Sequence, residues 1–225
     1  MKSNFEFLNR YWPVLAQLGA NAENYLYSDP NACIYKLGLF AERLVQEILV
    51  FEHMDAPKTD NTHANRIRLL KRAGLLPPEI DNTLYILRKT RNSAVHAGTD
   101  SVDEAKTLLS MAYNLAVWYM KTYGDWEYIA GDFVMPEEVH QADLKSVIED
   151  QEKKIAELSQ KLAQVTTAVS GTTQKERAKR GETVSSMMQW NEAQTRCLID
   201  EQLRKAGWEA DTINLRYSKG IRPVK

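Results

Sequence analysis

The sequence predicts a mainly α-helical chain, and three observations carry that prediction. Apolar residues recur at three- and four-residue spacing over most of the first 135 positions. Capping residues, prolines and glycines punctuate those runs. The alternation that a half-buried strand needs stays weak until Trp208.

Residues 1–135 read as one helical bundle. Phe5, Leu8, Trp12 and Leu15 lie at helical spacing in 4–18, and Pro13 ends or kinks an early turn there. A shorter helical stretch spans 20–27. Asp29-Pro30 is an N-cap followed by proline at the first helical position. It launches a long helix whose apolar stripe is Ile34, Leu37, Phe40, Ala41, Leu44, Val45, Ile48 and Leu49. After a polar loop at 53–62, a helix over 65–73 stops at Gly74. Pro78 starts the next helix, which carries Leu84, Leu87, Ala94 and Val95 and ends at Gly98. Ser101-Val-Asp-Glu104 is a capping box for a last helix with Leu108, Leu109, Ala112, Leu115 and Ala116 inward.

The remainder differs. In 136–190, Leu144, Ile148, Gln151, Ile155, Leu158, Leu162, Val165 and Val169 follow heptad spacing. That pattern suits a coiled coil or a single solvated helix. Residues 170–186 are poor in apolar side chains and read as a flexible, locally basic linker. Its Lys175, Arg177, Lys179 and Arg180 are either a solvated run or a nucleic-acid contact. In 191–225, an amphipathic helix over 192–206 turns Cys197, Leu198, Leu203 and Ala206 inward, and Gly207 stops it. Residues 208–217 then alternate like a strand. A helix and one strand leave an unpaired edge, so more chain is expected after Lys225.

Composition narrows the function classes. The chain of 225 residues is 44% hydrophobic, enough to bury a core, and its net charge is −1 from 29 basic and 30 acidic residues. Such a balance gives no global attraction to nucleic acid or to an anionic membrane. Cys33 and Cys197 stand far apart, which points to a reducing cytoplasm, not to a disulfide framework. No apolar run reaches the roughly 18 residues of a membrane span, and the start is not a secretory signal. The sequence has no CxxC, HExxH or GxxxxGK[ST], so no metal site and no phosphate-cradling loop is expected in it.

The sharpest motif is Arg91-Asn-Ser-Ala-Val-His96. Helical geometry puts Arg91 and His96 about 140° apart, within reach of one cleft if the helix bends near Gly98. Arginine can hold a phosphate bidentately, and histidine can move a proton at a 2′-hydroxyl or a leaving oxygen. The plainer reading pairs Arg91 with Glu42 across the bundle.

This string, late in a helical bundle and after a helix with an inward glutamate, resembles the HEPN superfamily over residues 30–122. The resemblance implies a HEPN-like helical domain of the DUF4145 type. It assigns Arg91, Asn92 and His96 to the motif and Glu42 to the acidic position. Catalysis would be metal-independent RNA cleavage by paired copies, although many members serve as scaffolds.

A second resemblance covers both ends. Asn4-Phe-Glu-Phe-Leu8, Ala22-Glu-Asn-Tyr-Leu-Tyr-Ser-Asp-Pro-Asn31 and Lys36-Leu-Gly-Leu-Phe-Ala-Glu-Arg43 look like the start of type I restriction enzyme restriction subunits. So do Thr195-Arg-Cys-Leu-Ile-Asp-Glu-Gln-Leu-Arg-Lys-Ala-Gly-Trp208 and Arg216-Tyr-Ser-Lys-Gly-Ile-Arg-Pro223. The implied parent is an ATP-dependent DNA endonuclease, with residues 191–225 opening its α/β nuclease domain and its catalytic residues further on. Mg²⁺ and ATP then belong to the parent, and the partners are DNA and the methylation and specificity subunits. Pairing of two copies, through the bundle or through residues 144–169, stays open. Asp200 and Glu201 fall on the first nuclease helix, where a solvated face is the plainer expectation and a metal-neighbouring role the sharper one.

Overall fold

The computed structural model describes residues 2–56, 60–97, 101–138, 153–155 and 173–208. The chain enters through a 3-10 turn, Glu6–Arg10, and Pro13 then opens α1 (Pro13–Tyr25). Proline fits there because the first helical N–H has no partner to lose. The break predicted at Pro13 is present. The break predicted between residues 18 and 20 is not, and α1 runs through it. Gly19 is kept small by packing: a Cβ there would sit 2.2 Å from Cγ of Phe5.

Helix α2 (Pro30–Phe51) is the hub and touches α1, α3, α4 and α5. Asp29 caps it by accepting from the Ala32 N–H at 2.9 Å. Its predicted stripe from Ile34 to Leu49 is buried throughout, and each Ile, Leu, Val or Phe side chain in it contributes about 1.5–3 kcal/mol. Thr62 caps α3 (His63–Arg72), and Gly74 ends it at φ +71, the left-handed region that glycine enters without strain. Helix α4 (Pro78–Ala97) lies across α2. Helix α5 (Val102–Tyr119), capped by Ser101 accepting from the Glu104 N–H, continues into a π-turn, Met120–Gly124.

After that turn the chain doubles back over the bundle. Tyr113 donates to the Gly131 carbonyl at 2.6 Å, and Tyr27 donates to that of Pro136 at 2.9 Å. Asn4 brackets the Val134 peptide, donating to its carbonyl and accepting from its N–H. These bonds replace the ladder partners that an extended segment lacks.

Residues 174–187, expected as a flexible linker, form helix α6 (Gln174–Met187). Thr173 and Glu176 close a capping box at its start. Few apolar residues mark this helix because polar groups hold it. Trp118 donates to the Gly181 carbonyl at 3.0 Å, Ser185 donates to Glu79, and Val184 enters the core with Ala178 packed against it. Helix α7 (Glu192–Lys205), capped by Asn191, packs on α4 and α5. Of its four residues expected inward, Leu198 is buried and Cys197 half-buried, whereas Leu203 and Ala206 are exposed. The inward face is set by polar residues: Gln194 donates to Ser110 at 2.9 Å, and Glu201 is buried, not solvated. Gly207 ends the helix at φ +86.

No strand occurs among the described residues. The strand expected at 208–217 lies outside them beyond Trp208. So does the heptad segment 144–169, except for Lys153–Ile155, which are helical, with Ile155 packed against the core.

Candidate functional site

Of the motif residues, Arg91 and Glu42 meet where α2, α3 and α4 converge. Helix α2 supplies Tyr35, Gly38 and Glu42, one face at helical spacing. Gly38 lets α4 approach: a Cβ there would stand 2.4 Å from Cδ and 2.5 Å from Cβ of Arg91. The Arg91 stem therefore crosses the bare backbone of α2. Its guanidinium lies 5.1 Å from the Tyr35 ring centroid, and its Nη1 donates to Glu42 Oε2 at 2.6 Å. The pairing expected of Arg91 is thus present.

Glu42 has a second cation. Arg66 on α3 donates to its Oε1 at 3.0 Å and is itself fixed by Asn61, through Nε to Oδ1 at 2.7 Å and Nη2 to the carbonyl at 3.0 Å. Desolvation works against the Glu42 charge. The Arg91 hydrogen bond, the fields of His63 and Arg91 and the Arg66 hydrogen bond outweigh it, and its carboxyl titrates below the usual range. His63 lies beside this pair, buried, with neither ring nitrogen hydrogen-bonded among the described residues. Burial lowers its pKa to about 4, with Arg88, Arg66 and Arg91 adding to the effect and Glu42 opposing it. The arrangement is a carboxylate held between two arginines with a neutral imidazole alongside. Both arginines have a donor face spent on Glu42, which orients them.

Asn92 is exposed on α4. His96 belongs to the last turn of α4, and its side chain lies outside the described residues. Sequence reasoning missed His63 and Arg66. The signal that could have found them is α3 itself, which carries Arg66, Arg68, Lys71 and Arg72 and no acid.

The basic quartet is divided by the fold. Lys175 and Lys179 are exposed, and Arg180 lies over Trp126 at 5.6 Å from the ring centroid. Arg177 is buried. It grips Glu52 with two hydrogen bonds of 2.7 Å and covers the Phe51 ring, with the two side chains 7% and 0% exposed. This corrects its expected role: a guanidinium so placed is spent as an internal tie.

A cavity of about 710 Å³ lies between α5, the 126–133 segment and the α6–α7 junction, bordered by Tyr113, Trp126, Phe133, Met187 and Met188. None of the motif residues lines it. Among the described residues, no group of three His, Cys, Asp or Glu could hold a metal ion. No described helix is long and apolar enough to cross a membrane.

Comparison with known proteins places the chain in context. It is 28% identical, over 273 aligned positions, to the type I restriction enzyme EcoKI endonuclease subunit of Escherichia coli (strain K12). The alignment covers 99% of this chain and 23% of that protein, so the chain spans about a quarter of its relative's length. No solved structure matches. A family described as "Domain of unknown function (DUF4145)" matches residues 20–161, from within α1 to beyond the bundle. The chain belongs to the DUF4145 family, in a region related to a type I restriction enzyme.

Proposed function

We propose that this chain is the N-terminal accessory region of an ATP-dependent type I restriction endonuclease subunit that cleaves unmodified foreign DNA in the cytoplasm. It is itself non-catalytic and serves contact with nucleic acid and with the methylation and specificity subunits. The observation that carries this reading is the match over 99% of the chain to a restriction endonuclease subunit. Its bundle is a HEPN-like domain, and residues 191–225 open the nuclease domain. Support comes from the deployment of the motif residues: Arg91 is committed to Glu42 and packed over Gly38, as expected of a structural tie. On this reading ATP and Mg²⁺ belong to the longer parent. The ribonuclease alternative gains nothing from the relative's identity.

The test incubates the chain with labelled single-stranded RNA and duplex DNA, with and without Mg²⁺, beside its Arg91→Ala/His96→Ala variant. The accessory reading expects neither substrate to be cut. Metal-independent RNA cleavage that vanishes in the variant would replace it with the ribonuclease alternative.

A further inference from the structure

Charge is distributed unevenly in this nearly neutral chain. Residues 63–97 contain seven Lys and Arg against two acids, Glu79 and Asp81, while the whole chain carries −1. Helices α3 and α4 hold all seven cations. Two acids at this face are matched by cations, Asp81 by Lys71 and Glu42 by Arg66 and Arg91, whereas Glu79 accepts from the neutral Ser185 hydroxyl and keeps its charge. Arg68, Arg72, Arg88 and Lys89 form no ion pair among the described residues and keep positive charge in excess.

The excess gathers around one ring. Arg88 lies 5.2 Å and Lys89 5.9 Å from the Tyr85 centroid, and Lys205 arrives from the end of α7 at 5.5 Å. Lys205 is held there by Asn82 Oδ1 at 2.6 Å, with Glu201 Oε1 3.9 Å away. Three cations around one half-buried tyrosine repel each other, and ring attraction of roughly 0.5–1 kcal/mol apiece does not neutralise them. Helices α3 and α4 are in contact. Lys71 binds Asp81 one turn before Tyr85, and Arg88, Arg66 and Arg91 all act on His63. Tyr85, Arg88, Lys89 and the exposed Asn92 form one stripe along α4 by their spacing.

We propose that α3, α4 and the end of α7 form a binding face for the phosphate backbone of duplex DNA, centred on Tyr85 and without sequence preference. Regularly spaced phosphates suit cations repeated along two helices, and their approach relieves the repulsion around Tyr85. The choice of DNA rests on the restriction-related reading above. The face is distinct from the Lys175–Arg180 run, and the cations around Tyr85 lie outside the Arg91–His96 motif.

The test is fluorescence anisotropy of a short labelled duplex with the whole 225-residue chain over a salt series. The wild type should bind, with log affinity falling linearly in log salt. The Arg88→Ala/Lys89→Ala/Lys205→Ala variant should bind about tenfold or more weakly, with a slope shallower by roughly 0.9 for each phosphate it no longer neutralises. Arg88→Lys/Lys89→Arg should retain binding, as should Lys175→Ala/Lys179→Ala on α6, all with unchanged melting temperatures. Absence of duplex binding at low salt overturns the proposal, as does wild-type affinity in the triple variant. Tighter binding of single-stranded RNA with the same variant dependence overturns the assignment to DNA. The restriction reading is scored separately, by ATP-dependent DNA cleavage in the longer parent with its partner subunits. Cleavage there without duplex binding here would sink the face alone.

Discussion

Glu42 Oε2 accepts from Arg91 Nη1 at 2.6 Å while its other oxygen accepts from Arg66, so a single carboxylate joins α2 to both α3 and α4. Removing it leaves two guanidinium groups facing each other across a partly buried gap. Glu42→Ala should therefore lower stability by roughly 1–3 kcal/mol. Glu42→Gln should recover only part, because an amide accepts without balancing charge. Urea unfolding of the two variants beside the wild type checks this, and equal stability of all three would refute it.

The same cluster sets a pH dependence. His63 titrates near 4 in the fold, against about 6.5 unfolded, so between those values the unfolded chain binds more protons. Stability must then rise with pH across that window and fall as pH drops toward 4, by on the order of 3 kcal/mol at most. Glu42, held below its ordinary value, acts in the same direction at lower pH, since its contribution is lost as pH falls through its folded pKa. His63→Leu should flatten the slope of melting temperature between pH 6.5 and 4.5 without lowering stability at pH 7. A slope as steep as that of the wild type would exclude His63 as its source.

Gly38 is a packing requirement. Alanine there places Cβ against Cβ and Cδ of Arg91, and the Cβ cannot swing aside as a side-chain tip can. Gly38→Ala should cost about 1–3 kcal/mol despite its better helix propensity. Gly38→Ala combined with Arg91→Ala should cost less than the sum of the single changes, a coupling that a double-mutant cycle reads directly.

The Arg177–Glu52 pair clamps α6 to the end of α2. Truncating either partner strands a buried charge, so Arg177→Ala and Glu52→Ala should each cost roughly 3–5 kcal/mol. Arg177→Lys should rescue poorly, because an ammonium cannot match the two-pronged contact. Limited proteolysis should then cut within 174–187 first. Unchanged protection of that helix would show that Trp118 and Gly181 hold it unaided.

Much of the bundle was legible in the sequence. The stripe of α2, the caps at Asp29 and Ser101, and the glycine stops at 74 and 207 all follow local rules of period and cap, and each stands as expected. The cap at Thr62 was not legible in the same way, and its helix begins two residues earlier than the apolar pattern indicates. Of the candidate site, the Arg91–Glu42 pair was legible because the motif resemblance singles out both residues on two neighbouring helices. Arg66 and His63 were not, since nothing local states that α3 folds back onto α2.

The sequence by itself determined the helical class, the order of the bundle's main helices and their apolar faces, because these depend on residues within a turn or two of each other. Only the tertiary structure decided which charges are spent and which are free. Arg177, read as an exposed cation, lies buried on Glu52, 125 positions away. Lys205 joins Arg88 and Lys89 at Tyr85 from the far end of the described chain. The physical reason is that apolar periodicity records burial along one helix, whereas the pairing of charges depends on long-range geometry that no local period encodes.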